Sequence, residues 1–302
     1  VRPVSRRFLP AAAVVSLPAL TRFFASFASS VALVALVVGA GPIGGRAAAA
    51  PDPGPAGALA APDGPAAAWL LADMDTGSIL ASKNPYQPHA PASTIKVLLA
   101  MVVLDHLHPG AAVRAAPVHT RVECSCVGLV PGQVYTTRQL LEGLLLVSGN
   151  DAANLLGDML GGMRAAVWRM NVKAAQLGAR STRASSPSGL DGPGWESVTT
   201  PHDLAVMLRA ALRYPLIAHI MRQPEAQFPD RTGYKTIVNQ NELLRRYPGD
   251  LAGKTGYTNL ARKTYIGAAQ RGNRRLIVVQ MYGTGDLYGQ AVDLFDWGFA
   301  RP

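Results

Sequence analysis

Hydrophobic and polar positions along the chain follow two periods. Short apolar runs at 68–72 and 78–82 flank Asp75-Thr76-Gly77, whose turn chemistry predicts a β-hairpin. From there apolar positions recur at spacings of three and four residues, which predicts helices over 93–107, 137–147, 150–160, 163–177 and 201–213. Residues 181–198 break that rhythm with Pro187, Gly189, Gly192 and Pro193 and read as a loop. Strand-like runs return at 234–238, 262–269 and 274–282, and an amphipathic helix is expected from about 286 to 299. Strands at both ends of a helical block predict a mixed α/β (α+β) domain whose first and last strands meet in one sheet.

The N-terminal stretch has a different character. Arg2, Arg6, Arg7 and Arg22 precede an uncharged segment from Phe23 to Gly45, and the small residues Ala47 to Ala50 follow before Pro51. A basic start, an apolar segment and a small-residue exit read as an export signal over 1–50, with an uncleaved membrane anchor as the alternative. Ser5-Arg6-Arg7-Phe8-Leu9 hints at a twin-arginine signal, but Pro10 and Pro18 interrupt the residues behind it, so the ordinary secretory route is preferred. Apart from Leu59, residues 51–66 are all Ala, Pro, Gly and Asp, which reads as a linker. Residues 67–302 then form one domain, expected outside the cytoplasm, with membrane contact only through the N-terminal segment.

Composition narrows the function classes. The chain has 302 residues, 49% hydrophobic and 16% charged, which excludes a charge-driven disordered protein. Its mean hydropathy of +0.14 is too low for a polytopic membrane protein. The formal charge is +10, but residues 1–50 hold five arginines and no acid, leaving 24 basic and 19 acidic residues beyond. No basic block interleaved with aromatics occurs there, so nucleic acid is not an expected partner. Two cysteines make no disulfide scaffold, and no Cys/His cluster has zinc spacing, so neither metal nor cofactor is expected. Cys124 and Cys126 flank Ser125 and are either a pair or two thiols; residues two apart meet disulfide geometry with difficulty.

Three clusters carry chemistry. Ser93-Thr94-Ile95-Lys96 opens an apolar helix, and a spacing of three puts Ser93 and Lys96 on one face. A serine hydroxyl needs a base, and a lysine serves once burial or neighbouring positive charge lowers its pKa. Ser93 at a helix start also meets free backbone N–H groups that stabilise an oxyanion. Ser148-Gly149-Asn150 sits between two helical segments, where Ser and Asn can both face a cleft, or where Gly149 stops one helix and Asn150 caps the next. Lys254-Thr255-Gly256 precedes a strand; on an edge strand it presents a cation, a hydroxyl and a site of close backbone approach. Each cluster has a bland reading alone. The chain has only six lysines, however, and two of them fall in Ser-x-x-Lys and Lys-Thr-Gly, in order around Ser-Gly-Asn.

That ordered set resembles the Ser-x-x-Lys, Ser-Asp-Asn and Lys-Thr-Gly signature of penicillin-binding proteins and class A β-lactamases, with Ser-Gly-Asn in the middle place. The chain resembles most the D-alanyl-D-alanine carboxypeptidases, the low-molecular-mass penicillin-binding proteins, through Pro91-Ala-Ser-Thr-Ile-Lys96, Ser148-Gly-Asn-Asp-Ala-Ala153, Gly253-Lys-Thr-Gly-Tyr-Thr258, Asn239-Gln-Asn-Glu-Leu-Leu244 and Trp297-Gly-Phe299. The resemblance implies an antiparallel sheet covered by helices, with a helical lobe and a cleft between them. It implies that Ser93 attacks the carbonyl between the last two D-alanines of a peptidoglycan stem peptide. Lys96 would act as base, with Ser148 and Lys254 assisting proton transfer. Asn150 would hold the substrate amide, Thr255 its terminal carboxylate, and Gly256 the close approach. The N–H groups of Ser93 and Tyr257 would form the oxyanion hole. β-Lactam antibiotics would acylate the same serine.

Departures from the pattern concern carboxylate recognition. Gln240 stands where relatives often have Arg, and no Arg follows the last strand around Tyr282 to Thr284. Thr255 and Lys254 would then hold the carboxylate alone, or Arg262 would substitute. Two rival readings remain on the same residues. A class A β-lactamase needs a deacylating glutamate, and loop 181–198 offers only Asp191 and Glu196 without the Glu-x-x-x-Asn pattern. A non-catalytic wall-binding module would have no use for the complete Ser93, Lys96, Ser148, Asn150 and Lys254 set, although the missing arginines speak for it.

Overall fold

The structure, a computed structural model, describes residues 60–301. The expected signal or anchor over 1–50 lies outside the described residues, as does the linker up to Leu59. The end of that linker is not free of the domain. Trp69 Nε1 and Lys83 Nζ both donate to the Asp63 carboxylate, at 3.0 and 2.7 Å, and the first strand already starts at Ala66.

A five-stranded antiparallel sheet forms the frame. It contains β1 (Ala66–Asp73), β2 (Ile79–Lys83), β7 (Asp250–Thr258), β8 (Arg262–Arg271) and β9 (Arg274–Gly283), in the order β2-β1-β9-β8-β7. The expected meeting of first and last strands is the β1–β9 pairing, in register from Ala66 opposite Gly283 to Asp73 opposite Leu276. Both faces of the central strands are buried, because each is covered by a separate layer. Leu70, Ile266, Ile277 and Val279 point to a helical lobe, while Leu71, Tyr265, Leu276 and Val278 point to α9 (Leu287–Phe299), the expected terminal helix.

The lobe is built around α1 (Lys96–His106), whose first eight residues are all buried. A helix apolar on every side has to sit inside a bundle, and α3 (Thr137–Leu146), α4 (Asn150–Met159), α5 (Met163–Gln176) and α6 (Pro201–Ala211) surround it. Thr136 and Thr200 cap α3 and α6 by accepting from Gln139 N–H and Asp203 N–H. Small elements complete the lobe: β3 (Ala112–Arg114), α2 (Pro117–Thr120), β4 (Val134–Thr136), α7 (Pro215–Arg222), β5 (Glu225–Asp230) and β6 (Gly233–Val238), while α8 (Leu243–Arg246) joins α9 on the other side of the sheet through Leu243.

Three local expectations change. The run at 234–238 is not part of the main sheet; it is β6, paired only with β5. Strand β5 escapes the pattern because Pro229 and polar residues fill it. The helix expected from residue 93 begins as a 3₁₀ turn, Ala92–Ile95, before the α-helix proper starts at Lys96. Cys124 and Cys126 are joined as a disulfide. Their Cα atoms are 4.8 Å apart, within the usual reach of such a bond, so the geometric objection does not hold.

Candidate active site

The turn that carries Ser93 is set by its neighbours. Ala92 has a φ of 48°, a strained value for a residue with a Cβ, which redirects the chain into the 3₁₀ turn. Thr94 Oγ1 and Thr264 Oγ1 both donate to the Pro91 carbonyl, at 2.7 and 3.0 Å, fastening the turn to β8. In a 3₁₀ turn residues three apart eclipse, so Ser93 stands directly over Lys96.

Lys96 is wholly buried, and its Nζ lies 2.7 Å from Ser93 Oγ, Asn150 Oδ1 and the Ser188 carbonyl, with Ser148 Oγ at 3.5 Å. Burial pushes its pKa well below that of an ordinary lysine, and the nearby Lys254 charge pushes it the same way, against the opposing pull of Asp151. The neighbours decide what the neutral amine does. Two of its contacts, Asn150 Oδ1 and the Ser188 carbonyl, can only accept, so they take its two N–H groups. The lone pair is left facing the hydroxyls able to donate, Ser93 at 2.7 Å and, farther off, Ser148 at 3.5 Å.

Ser148 and Asn150 arrive from the α3–α4 junction. Ser148 adopts a φ of 62°, and Asn150 N–H donates to the Ser125 carbonyl at 2.7 Å. Asn150 Nδ2 donates to the Glu123 carbonyl at 2.6 Å, which orients its Oδ1 toward Lys96. The segment 123–129 is held in turn by Asp151, whose carboxylate accepts the N–H groups of Val127, Gly128 and Leu129 at 2.8 to 2.9 Å. A buried carboxylate with this many donors orders a wall of the cleft, and the disulfide sits in the same wall.

Lys254 and Thr255 lie on β7, which is the edge strand, so its outer backbone groups are unpaired within the sheet. Lys254 is buried, its pKa lowered to about 7 by that burial, and its Nζ donates to the Thr255 carbonyl at 2.7 Å. At Gly256 a Cβ would stand 2.8 Å from Ser93 N and 2.4 Å from Thr264 Oγ1. Glycine there lets the edge strand come up to the backbone N–H of Ser93. The same logic works across the site at Gly189, with a φ of 82°, where a Cβ would meet the Ala92 carbonyl at 2.0 Å. That close approach is what delivers the Ser188 carbonyl to Lys96.

These groups open onto a cleft of about 740 Å³, with Ser93, Ser148, Asn150, Thr255, Gly256 and Tyr257 on its walls. Among the described residues no group of three His, Cys, Asp or Glu side chains could hold a metal ion. The sequence model of the D-alanyl-D-alanine carboxypeptidases matches residues 56–285.

The chain belongs to the D-alanyl-D-alanine carboxypeptidase family.

The carboxypeptidase DacB2 of Mycobacterium tuberculosis is 57% identical over 254 residues, covering 82% of this chain and 87% of that one. A crystal structure of a D-alanyl-D-alanine carboxypeptidase from the same organism matches with a TM-score of 0.80 at 56% identity, over 82% of this chain and 96% of that one. The Streptomyces K15 DD-transpeptidase matches with a TM-score of 0.76 at 28% identity, covering 80% of this chain and all of that one. Fold and family expectations from the sequence therefore hold for this carboxypeptidase family member.

Ser93, Lys96, Ser148 and Asn150 are brought together by direct contacts, and Gly256 abuts Ser93. Lys254 makes its hydrogen bond within its own strand. Arg262, expected as a substitute for the missing arginines, opens β8 with a φ of 56° and is not on the cleft wall, where Lys263 and Arg246 are. Ser188, Glu123 and Asp151 were not singled out by the motifs. Ser188 and Glu123 act through backbone carbonyls, which leave no residue signature. Asp151 offered one cue, an acid in the first turn of α4.

Proposed function

We propose that this chain is a serine-type D-Ala-D-Ala carboxypeptidase that trims peptidoglycan stem peptides through an acyl-enzyme. The observation that carries the reading is the 2.7 Å contact between Ser93 Oγ and a buried Lys96 whose N–H groups are taken by Asn150 Oδ1 and the Ser188 carbonyl. Lys96 takes the hydroxyl proton as Ser93 attacks the carbonyl of the penultimate D-alanine. The tetrahedral oxyanion is stabilised by the N–H groups of Ser93 and Tyr257, one at the helix start and one on the open edge of β7. Ser148, 3.5 Å from Lys96 Nζ, relays the proton toward the departing amine, and the buried Lys254 amine assists as a second donor. Asn150 keeps one N–H of Nδ2 after the bond to Glu123, and that hydrogen serves the substrate amide carbonyl. Thr255 contributes its hydroxyl to the terminal carboxylate. Water then hydrolyses the ester, and a β-lactam acylates the same serine by mimicking the substrate.

Peptidoglycan lies outside the plasma membrane, which requires export. The 1–50 segment supplies the signal or anchor, and the Cys124–Cys126 disulfide suits an oxidising compartment. The β-lactamase reading is disfavoured by where the acids of loop 181–198 are engaged. Asp191 accepts from Thr258 Oγ1 at 2.6 Å and Glu196 from Gly194 N–H at 3.1 Å, and neither lines the cleft beside Ser93 where a deacylating water would stand.

The test is exposure of the exported protein and of Ser93→Ala to labelled penicillin and to a D-Ala-D-Ala peptide. A long-lived adduct on Ser93 with D-alanine release is expected, and both are lost in Ser93→Ala. Rapid penicillin turnover would favour the lactamase, and absence of any adduct the binding module.

A further inference from the structure

A D-Ala-D-Ala peptide ends in a carboxylate only a few bonds from the carbonyl that Ser93 attacks. A cleft that removes the last residue gains selectivity from a cation on that side. Among the described residues, the cationic side chains on the cleft wall are Arg246 and Lys263. Arg246 is already engaged, its guanidinium 2.9 Å from the Glu242 carboxylate on the same helical turn. Lys263 has no carboxylate partner within salt-bridge distance among the described residues. Its Nζ donates to the Gly285 carbonyl at 2.9 Å, which holds the ammonium at the rim of the cleft and leaves two of its three donors available.

The sheet register brings Lys263 to the same face of the edge strands as Thr255, the face that Tyr265 turns toward α9, and the cleft reaches it by running past that edge. Tyr257 pairs with Lys263 and Thr255 with Tyr265 across β7 and β8. Side chains alternate along a strand, so these four share one face, and Lys263 is the diagonal neighbour of Thr255. Such neighbours are about 7–8 Å apart, within reach of a long side chain. Thr255 and Lys263 thus both line the cleft where it passes the edge strand, next to the Gly256–Thr264 pair, whose opposite face adjoins Ser93 N.

We propose that Lys263 binds the terminal carboxylate of the substrate, together with the Thr255 hydroxyl; this rests on the carboxypeptidase reading above. Lys263 thereby sets the preference for a free C-terminus, an assignment that the sequence motifs gave to Thr255 and Lys254 alone or to Arg262.

The experiment compares kcat/KM for an N-acylated D-Ala-D-Ala peptide with that for the same peptide bearing a C-terminal amide, in wild type, Lys263→Gln and Lys263→Arg. Wild type prefers the acid. Lys263→Gln loses about tenfold or more of that preference, the effect of removing one charge-assisted hydrogen bond, and Lys263→Arg retains most of it. The acid-to-amide ratio does not depend on how much of a variant is folded. An unchanged ratio in Lys263→Gln overturns the assignment to Lys263 while leaving the carboxypeptidase reading intact. Wild type that neither takes up labelled penicillin nor releases D-alanine overturns the carboxypeptidase reading and the role of Lys263 with it.

Discussion

Replacing Lys254 with methionine should make the protein more stable while disabling it. In the unfolded chain its ammonium titrates at the ordinary 10.5, whereas in the folded protein burial lowers it to about 7. Between those values the unfolded state binds more protons, so folding has to strip a proton from Lys254 or bury a charge. The sign follows from proton linkage: the penalty is full below about pH 7, shrinks as pH rises from 7 toward 10.5, and vanishes above. Integrated over that shift, the penalty is about 4 kcal/mol at pH 7 and about 1 kcal/mol at pH 10. Methionine keeps a similar unbranched shape and carries no charge, though it leaves the Thr255 carbonyl without the Lys254 bond, a loss of about 1 kcal/mol that is independent of pH. The net expectation is a gain of about 3 kcal/mol at pH 7 that is gone at pH 10. Urea unfolding of both proteins at the two pH values reads this as a midpoint shift of about 1 M at the lower pH. A variant no more stable than wild type at pH 7, or a gain that persists undiminished at pH 10, refutes the claim that this lysine is held in a destabilising, desolvated position.

Other consequences are nearer the chemistry. Gly256→Ala puts a Cβ against Ser93 N and Thr264 Oγ1, so acylation by penicillin should slow by about a hundredfold, with a stability loss of about 1–3 kcal/mol from the overpacked contact. Asp151→Asn sets an NH₂ against the N–H groups that now bind a carboxylate; a stability loss of about 2–3 kcal/mol is expected in denaturant melts, with slower acylation. The acylation rate of wild type should fall on acidification as Lys96 gains a proton. Because the Lys254 charge helps to keep Lys96 unprotonated, Lys254→Met should move the acid limb of the residual rate to higher pH, and an unmoved or lowered limb contradicts the coupling.

Much of the site is legible in the residue order because its chemistry is carried locally. Ser93 and Lys96 are three residues apart, so any helical turn brings them together, and the shift from an α to a 3₁₀ turn only sharpens the contact. Ser148 and Asn150 share one helix junction. The apolar continuity of 97–103 similarly required a buried central helix. What escaped was either diluted pattern or backbone. Strand β5 carries Pro229 and polar residues that mask its alternation, and the linker boundary depended on Asp63 finding Trp69 and Lys83. The disulfide could not be decided from spacing, since two cysteines flanking one residue pair only if the chain there bends enough to bring their Cα atoms together.

Side-chain type and short-range spacing therefore announced a nucleophile, a base and the strand that faces them. Folding alone decided which way each group points and what surrounds it. The Ser188 and Glu123 carbonyls that orient Lys96 and Asn150 are main-chain atoms common to every residue, brought in from 92 and 27 positions away. Lys263 became a cleft residue through the register of two strands. Spacing along a chain encodes neighbours within a turn of helix; burial, and with it the basicity of a lysine, depends on segments whose separation in sequence carries no trace of their contact.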